Sequence, residues 1–215
     1  MFSAKIFLGC VLIVLISHPG FTQQSDQKSL DQRVRAFLDQ HRSDWRDMNV
    51  PYQDGQVLFD LVVDNNYQQA LEIGTSTGHS TIWIAWALSK TGGKLITIDI
   101  EESRLKVARE NLEKAGLLEY VDIRHADAHE LVKSLPGPFD FVFSDADKGW
   151  YTQYFKDLDP KLEIKGCFTA HNVRNRMNGI ERFLDYVQGL DHYRTTIDKS
   201  SRSGISISYK LSDQQ

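Results

Sequence analysis

The chain lacks most of what would mark a specialised class. It has only two cysteines, Cys10 and Cys167, so no disulfide framework holds it and its stability must come from a core. It has no excess of one charge: 25 Lys and Arg face 29 Asp and Glu, for a formal net charge of -4. That balance gives no reason to expect nucleic acid as a partner and makes small-molecule chemistry the better expectation. There are no repeats, low-complexity tracts or linkers, and 215 residues with 41% hydrophobic composition suit one domain with a sizeable core. A continuous apolar run of about 20 residues, the length that spans a bilayer, is also missing.

The longest apolar run lies at the N-terminus. Ile6 to Ile16 follows Lys5 and precedes Ser17, His18, Pro19 and Gly20, which suits the core of a signal peptide with cleavage after Thr22. Residues 1–22 are expected to be a signal peptide or an N-terminal membrane anchor, and 24–215 the working domain. Export or tethering follows, with a cytoplasm-facing domain as the other arrangement. Once the leader is removed, Cys167 is alone.

What is present is an alternation. Apolar strands ("QALEIGT", "KLITIDI", "YVDIRHAD", "FDFVFSD", "IKGCFTAHN") are separated by stretches with helical periodicity. Strands spaced by helices of about 10 to 15 residues imply parallel βαβ units and a sheet covered on both faces. "HYRTTID" and "GISISYKL" read as a closing hairpin that adds an antiparallel strand. The expected class is α/β.

In such sheets ligands bind at the carboxyl ends of the strands. The first strand runs into "LEIGTSTGHS", where Gly74 and Gly78 permit a tight turn ahead of a helix start. The next strand ends in Asp99, placed to accept both hydroxyls of a ribose. The nicotinamide fingerprint G-x-G-x-x-G is absent, and Glu72 before the first glycine would repel a pyrophosphate. A cationic, phosphate-free nucleoside fits better, and S-adenosylmethionine (SAM) is one.

With these features, and with "FDFVFSDADKGWYTQYF" at the fourth strand, the chain resembles the cation-dependent O-methyltransferases related to catechol and caffeoyl-CoA O-methyltransferases. The resemblance runs from about Met48 to Lys210 and includes "MNVPYQDGQVL", "LEIGTSTGHST", "ITIDIE" and "HADAHELV". It implies a three-layer Rossmann-like methyltransferase fold with a seven-stranded, mostly parallel sheet. It implies SAM at Val50, Glu72, Gly74, Thr75, Ser80, Asp99, Asp127, Ala128, His129 and Asp145, with Lys148 beside the hydroxyl to be methylated. The implied reaction moves a methyl to an oxygen of a small hydroxylated, aromatic acceptor, and a homodimer is implied as well. Asp147 is expected to cap the following helix.

Two positions depart from the family. The family's other two metal ligands are Asp-Asn, whereas this chain has His171-Asn172. Asp145, His171 and Asn172 would then hold a borderline divalent ion rather than magnesium, or the site has lost its metal and His171 serves as general base. A second reading follows, a cofactor-binding protein that no longer transfers. The family's late glutamate is also missing: the region offers Asp198, Lys199, Ser200 and Arg202. Arg174, Arg176 and Arg202 are expected in a solvated basic loop, and Trp83 and Trp86 in the core.

Overall fold

The computed structural model describes residues 19–213 except 47 and 178, with side chains described from Asp26 onward. The expected leader, residues 1–22, therefore lies outside the described residues, apart from the backbone of 19–22. Among the described residues no helix is long and apolar enough to cross a membrane.

Among the described residues, seven strands form one sheet: β1 (Gln69–Ile73), β2 (Lys94–Asp99), β3 (Val121–His125), β4 (Phe139–Ser144), β5 (Leu162–His171), β6 (Tyr193–Asp198) and β7 (Ile205–Lys210). Their order is β3-β2-β1-β4-β5-β7-β6. The first five pair in parallel, and β7 runs antiparallel to both of its neighbours. The α/β, mostly parallel sheet with one antiparallel strand is as expected. Strand order reverses between β1 and β4, so the switch point lies where the glycine turn and the "SDADK" stretch both emerge.

Among the described residues, seven α-helices surround the sheet: α1 (Pro19–Gln40), α2 (Tyr52–Asp64), α3 (His79–Thr91), α4 (Glu102–Ala115), α5 (Ala128–Ser134), α6 (Tyr151–Leu158) and α7 (Ile180–Gln188). Alternation along β1 sorts the layers. Leu71 and Ile73 join the core that α5, α6 and α7 complete, while Ala70 joins the core that α2 and α3 complete. Glu72 shares the Ala70 side, which aims its carboxylate at α3. Trp83 and Trp86 are core, as expected. Trp83 sits so close to α2 that a Cβ on Gly55 would lie 2.2 Å from its Cδ1. Gly55→Ala should therefore cost about 1–3 kcal/mol through overpacking. Urea denaturation reads this directly, and an unchanged midpoint would refute the close α2–α3 contact.

Candidate active site

The turn after β1 is shaped by what it must approach. Gly74 has φ +103°, and a Cβ there would lie 2.8 Å from the carbonyl oxygen of Asp145. Only glycine lets the β1 turn and the β4 end close on each other. Backbone bonds lock the arrangement: the amides of Gly74 and Thr75 donate to the Ile98 carbonyl, and the Asp145 amide donates to Ile73.

Three acids stand at consecutive strand ends. Asp99, ending β2, accepts from the Ser76 amide at 2.8 Å and the Glu101 amide at 2.9 Å, so its carboxylate is fixed in direction. Asp127, after β3, accepts from the His129 amide at 2.9 Å and caps α5. Asp145 follows β4. These three, with Gly74, Ala128 and His129, line a cavity of about 430 Å³. The His129 ring of that lining is backed by Trp150, on which it stacks with centroids 3.9 Å apart. Asp147 accepts from the Gly149 amide at 2.9 Å, the capping role expected of it.

Val50, Glu72, Thr75 and Ser80 are buried rather than lining that cavity. Glu72 is fully buried; its Oε2 accepts from Thr81 and Thr97, each at 2.6 Å, and its Oε1 has no partner. Burial raises its carboxyl to about 7, against the opposing hydrogen bonds. His79 is buried and neutral: Nδ1 donates to the Val50 carbonyl, Nε2 accepts from Trp83, and burial lowers it to about 4.

A second cavity, of about 370 Å³, opens beside the first and is lined by Lys148, Asn172, Asn175, Met177, Arg202 and Ser203. Asn172 has φ +59°, a left-handed conformation that asparagine tolerates better than most residues. Lys148 Nζ stands 3.6 Å from Asp145 Oδ1, which joins the two cavities. Arg174 is spent on the Ser201 carbonyl, and Arg176 lies 3.8 Å from Asp185.

His171 departs from both roles expected of it. Its Nδ1 is 2.9 Å from Asp145 Oδ2 and its Nε2 is 2.7 Å from Asp54 Oδ2. Neither nitrogen is free to ligate a metal or to collect a substrate proton. Burial alone would depress the imidazole, but the bonds and charges of Asp145 and Asp54 outweigh it and lift the ring to about 9. Ser201 Oγ donates to the same Asp54 oxygen at 2.9 Å. Sequence reasoning missed Asp54 and Ser201. One signal was available: Asp54, Leu58 and Val62 are all buried at i, i+4 and i+8 on α2, so an acid occupies an apolar stripe.

A family model described as O-methyltransferase matches residues 22–174. The chain is 46% identical over 90 residues to a catechol O-methyltransferase of Niastella koreensis, covering 40% of each. It is 34% identical over 135 residues to a caffeoyl-CoA O-methyltransferase of Eucalyptus globulus, covering 60% of this chain and 54% of that one. The chain thus spans about half the length of the curated relatives it matches. Among solved structures it is similar to an O-methyltransferase from Bacillus cereus in complex with SAH, with TM-score 0.71 and 27% identity over 92% of this chain and 93% of that one. It is also similar to an O-methyltransferase of tomaymycin synthesis from Streptomyces achromogenes in complex with SAM, with TM-score 0.69 and 25% identity over 84% and 90%.

Proposed function

Because the chain belongs to the O-methyltransferase family, we propose that it transfers the methyl of SAM to an oxygen of a small hydroxylated aromatic acceptor. The observation that carries this is the row of acids at the ends of β2, β3 and β4 around one cavity, with an unpartnered buried oxygen of Glu72 behind it. Asp99 suits the ribose hydroxyls, since each of its oxygens is held by one amide and keeps a lone pair. Asp127, Ala128 and His129 suit a purine edge and face. Glu72 supplies negative charge with no phosphate in prospect.

Bound SAM supplies a methyl on a sulfonium, whose sulfur keeps the electron pair when the methyl leaves. The rest falls to side chains. Lys148, an ammonium beside Asp145, stabilises the phenolate of an acceptor whose hydroxyl proton has gone to solvent, and the phenolate oxygen forms the O–CH3 bond. Asn172 and Arg202, in the same cavity, orient the acceptor. The N-terminal apolar run is proposed as a leader or tether, which sequencing of the mature N-terminus decides.

Calorimetry of SAM into the protein should give micromolar binding, weakened at least about tenfold in Asp99→Ala, the loss expected for a carboxylate bonded to two hydroxyls. No binding to folded protein refutes the proposal. The second reading, a cofactor-binding protein without transfer, is favoured by the tying-up of His171. Labelled-methyl turnover on a panel of phenols separates the two: transfer to any of them excludes it.

A further inference from the structure

The family resemblance implies a divalent cation at the ends of β4 and β5, and the residues offered for it are Asp145, His171 and Asn172. Their fit can be judged by lone pairs. An imidazole ligates through a nitrogen that carries no hydrogen. Here each ring nitrogen of His171 faces a carboxylate oxygen, at 2.9 Å for Asp145 and 2.7 Å for Asp54. A carboxylate oxygen only accepts, so each contact requires a hydrogen on the nitrogen, and a ring that donates twice has no lone pair for a metal.

The ring is not free to turn away. It is 2% exposed, and Asp54 behind it is fully buried. The Asp54 oxygen that meets the ring is held as well by Ser201 Oγ, which itself accepts from the amides of Ser203 and Gly204. Swinging the ring toward an ion would strand a buried carboxylate, at the full cost of desolvation. Asp145 is committed too: Oδ2 is spent on His171, and Oδ1 lies 3.6 Å from the Lys148 ammonium position. Asn172 alone remains, and one amide oxygen is too little for a hard cation.

We infer that the transfer site of this chain works without a divalent cation, its place taken by a hydrogen-bonded bridge of Asp54, His171 and Asp145 anchored by Ser201. The bridge ties α2 and the loop before β7 to the ends of β4 and β5, holding the acceptor cavity against the cofactor cavity. Acceptor selection then falls to Lys148, Asn172 and Arg202 rather than to chelation of two vicinal oxygens. That admits acceptors with a single hydroxyl. The naming of a transfer site rests on the methyltransferase reading; the geometry of the bridge does not.

Two measurements on the full protein test this. Electron paramagnetic resonance follows Mn²⁺ binding to wild type and Asp145→Asn, and calorimetry follows SAM binding with and without EDTA. Wild type and variant should bind Mn²⁺ equally weakly, with Kd above about 1 mM, and EDTA should change SAM affinity by less than about twofold. A single Mn²⁺ per chain with Kd below about 100 µM, lost in Asp145→Asn, overturns the inference. So does a loss of SAM affinity of about tenfold in EDTA that Mg²⁺ restores. Should Asp145→Asn fail to fold, the wild-type titration and the EDTA comparison still decide. Absence of SAM binding under every condition defeats the methyltransferase reading instead, and the Mn²⁺ titration still judges the bridge.

Discussion

An Asp54→Ala protein is expected to be less stable than wild type by about 3–5 kcal/mol at pH 7, the range for removing one partner of a buried pair. The substitution takes away the acceptor of His171 Nε2 and of Ser201 Oγ together. Water cannot replace it at a site where Asp54 and His171 are 0% and 2% exposed. The pH dependence gives the effect a second signature. The groups facing the ring are Asp54 from α2 and Asp145 after β4, with Lys148 beyond Asp145 and the Tyr151 hydroxyl donating to the His171 carbonyl. The ring's folded value of about 9 stands above the ordinary 6.5. A raised value stabilises the fold fully below 6.5, and that contribution disappears as pH climbs through 9. Wild type should therefore lose roughly 3 kcal/mol of stability between those limits. Asp54→Ala should follow a flatter curve beneath it. Chemical denaturation at several pH values measures both. A cost under about 1 kcal/mol with an unchanged pH profile would mean that the ring is not held in this bridge.

Why the bridge escaped sequence reasoning is instructive when set against what did not. Strands and helices announce themselves through local periodicity, so β1 to β5 and the βα alternation were readable. Asp99 was readable as well, as the acid that ends β2, whereas Asp127 was named only through the family resemblance. Asp147 was readable as a cap from its place before "KGW". Asp54 and His171 are 117 positions apart, and Asp54 and Ser201 are 147 apart. Their meeting depends on β7 inserting between β5 and β6, which brings the loop before β7 over the end of β5. The apolar run of α2 begins only at Val57, yet the helix starts at Tyr52. That early first turn puts Asp54 on the buried face of α2. His171 looked like a ligand because its position was compared with a family, while its partners were supplied by tertiary packing.

Glu72 gives the other large effect, expected in cofactor binding rather than in folding. Its carboxyl sits at about 7, raised by burial, with one oxygen held by two threonines and the other unpartnered. A cationic ligand favours the ionised form, so binding below pH 7 must expel the proton that Glu72 carries. SAM affinity should then rise about fivefold from pH 6 to pH 7 and about twofold more to pH 8, where it levels off. At pH 6, calorimetry in phosphate and in bis-Tris should differ by the ionisation heat of roughly one released proton. Glu72→Gln keeps the shape, abolishes that linkage and should weaken binding at pH 8 by about 10- to 100-fold, equivalent to about 1.5–3 kcal/mol for a hydrogen bond to a charged group. Titration of the ligand's own amine is common to both proteins and cancels in the comparison. The glutamine variant also spares the fold the cost of a buried charge, so it should unfold no earlier than wild type at pH 8. If it keeps both wild-type affinity and the wild-type pH profile, Glu72 is a structural acid, and the ligand's positive charge must be met by Asp99, Asp127 or Asp145 instead.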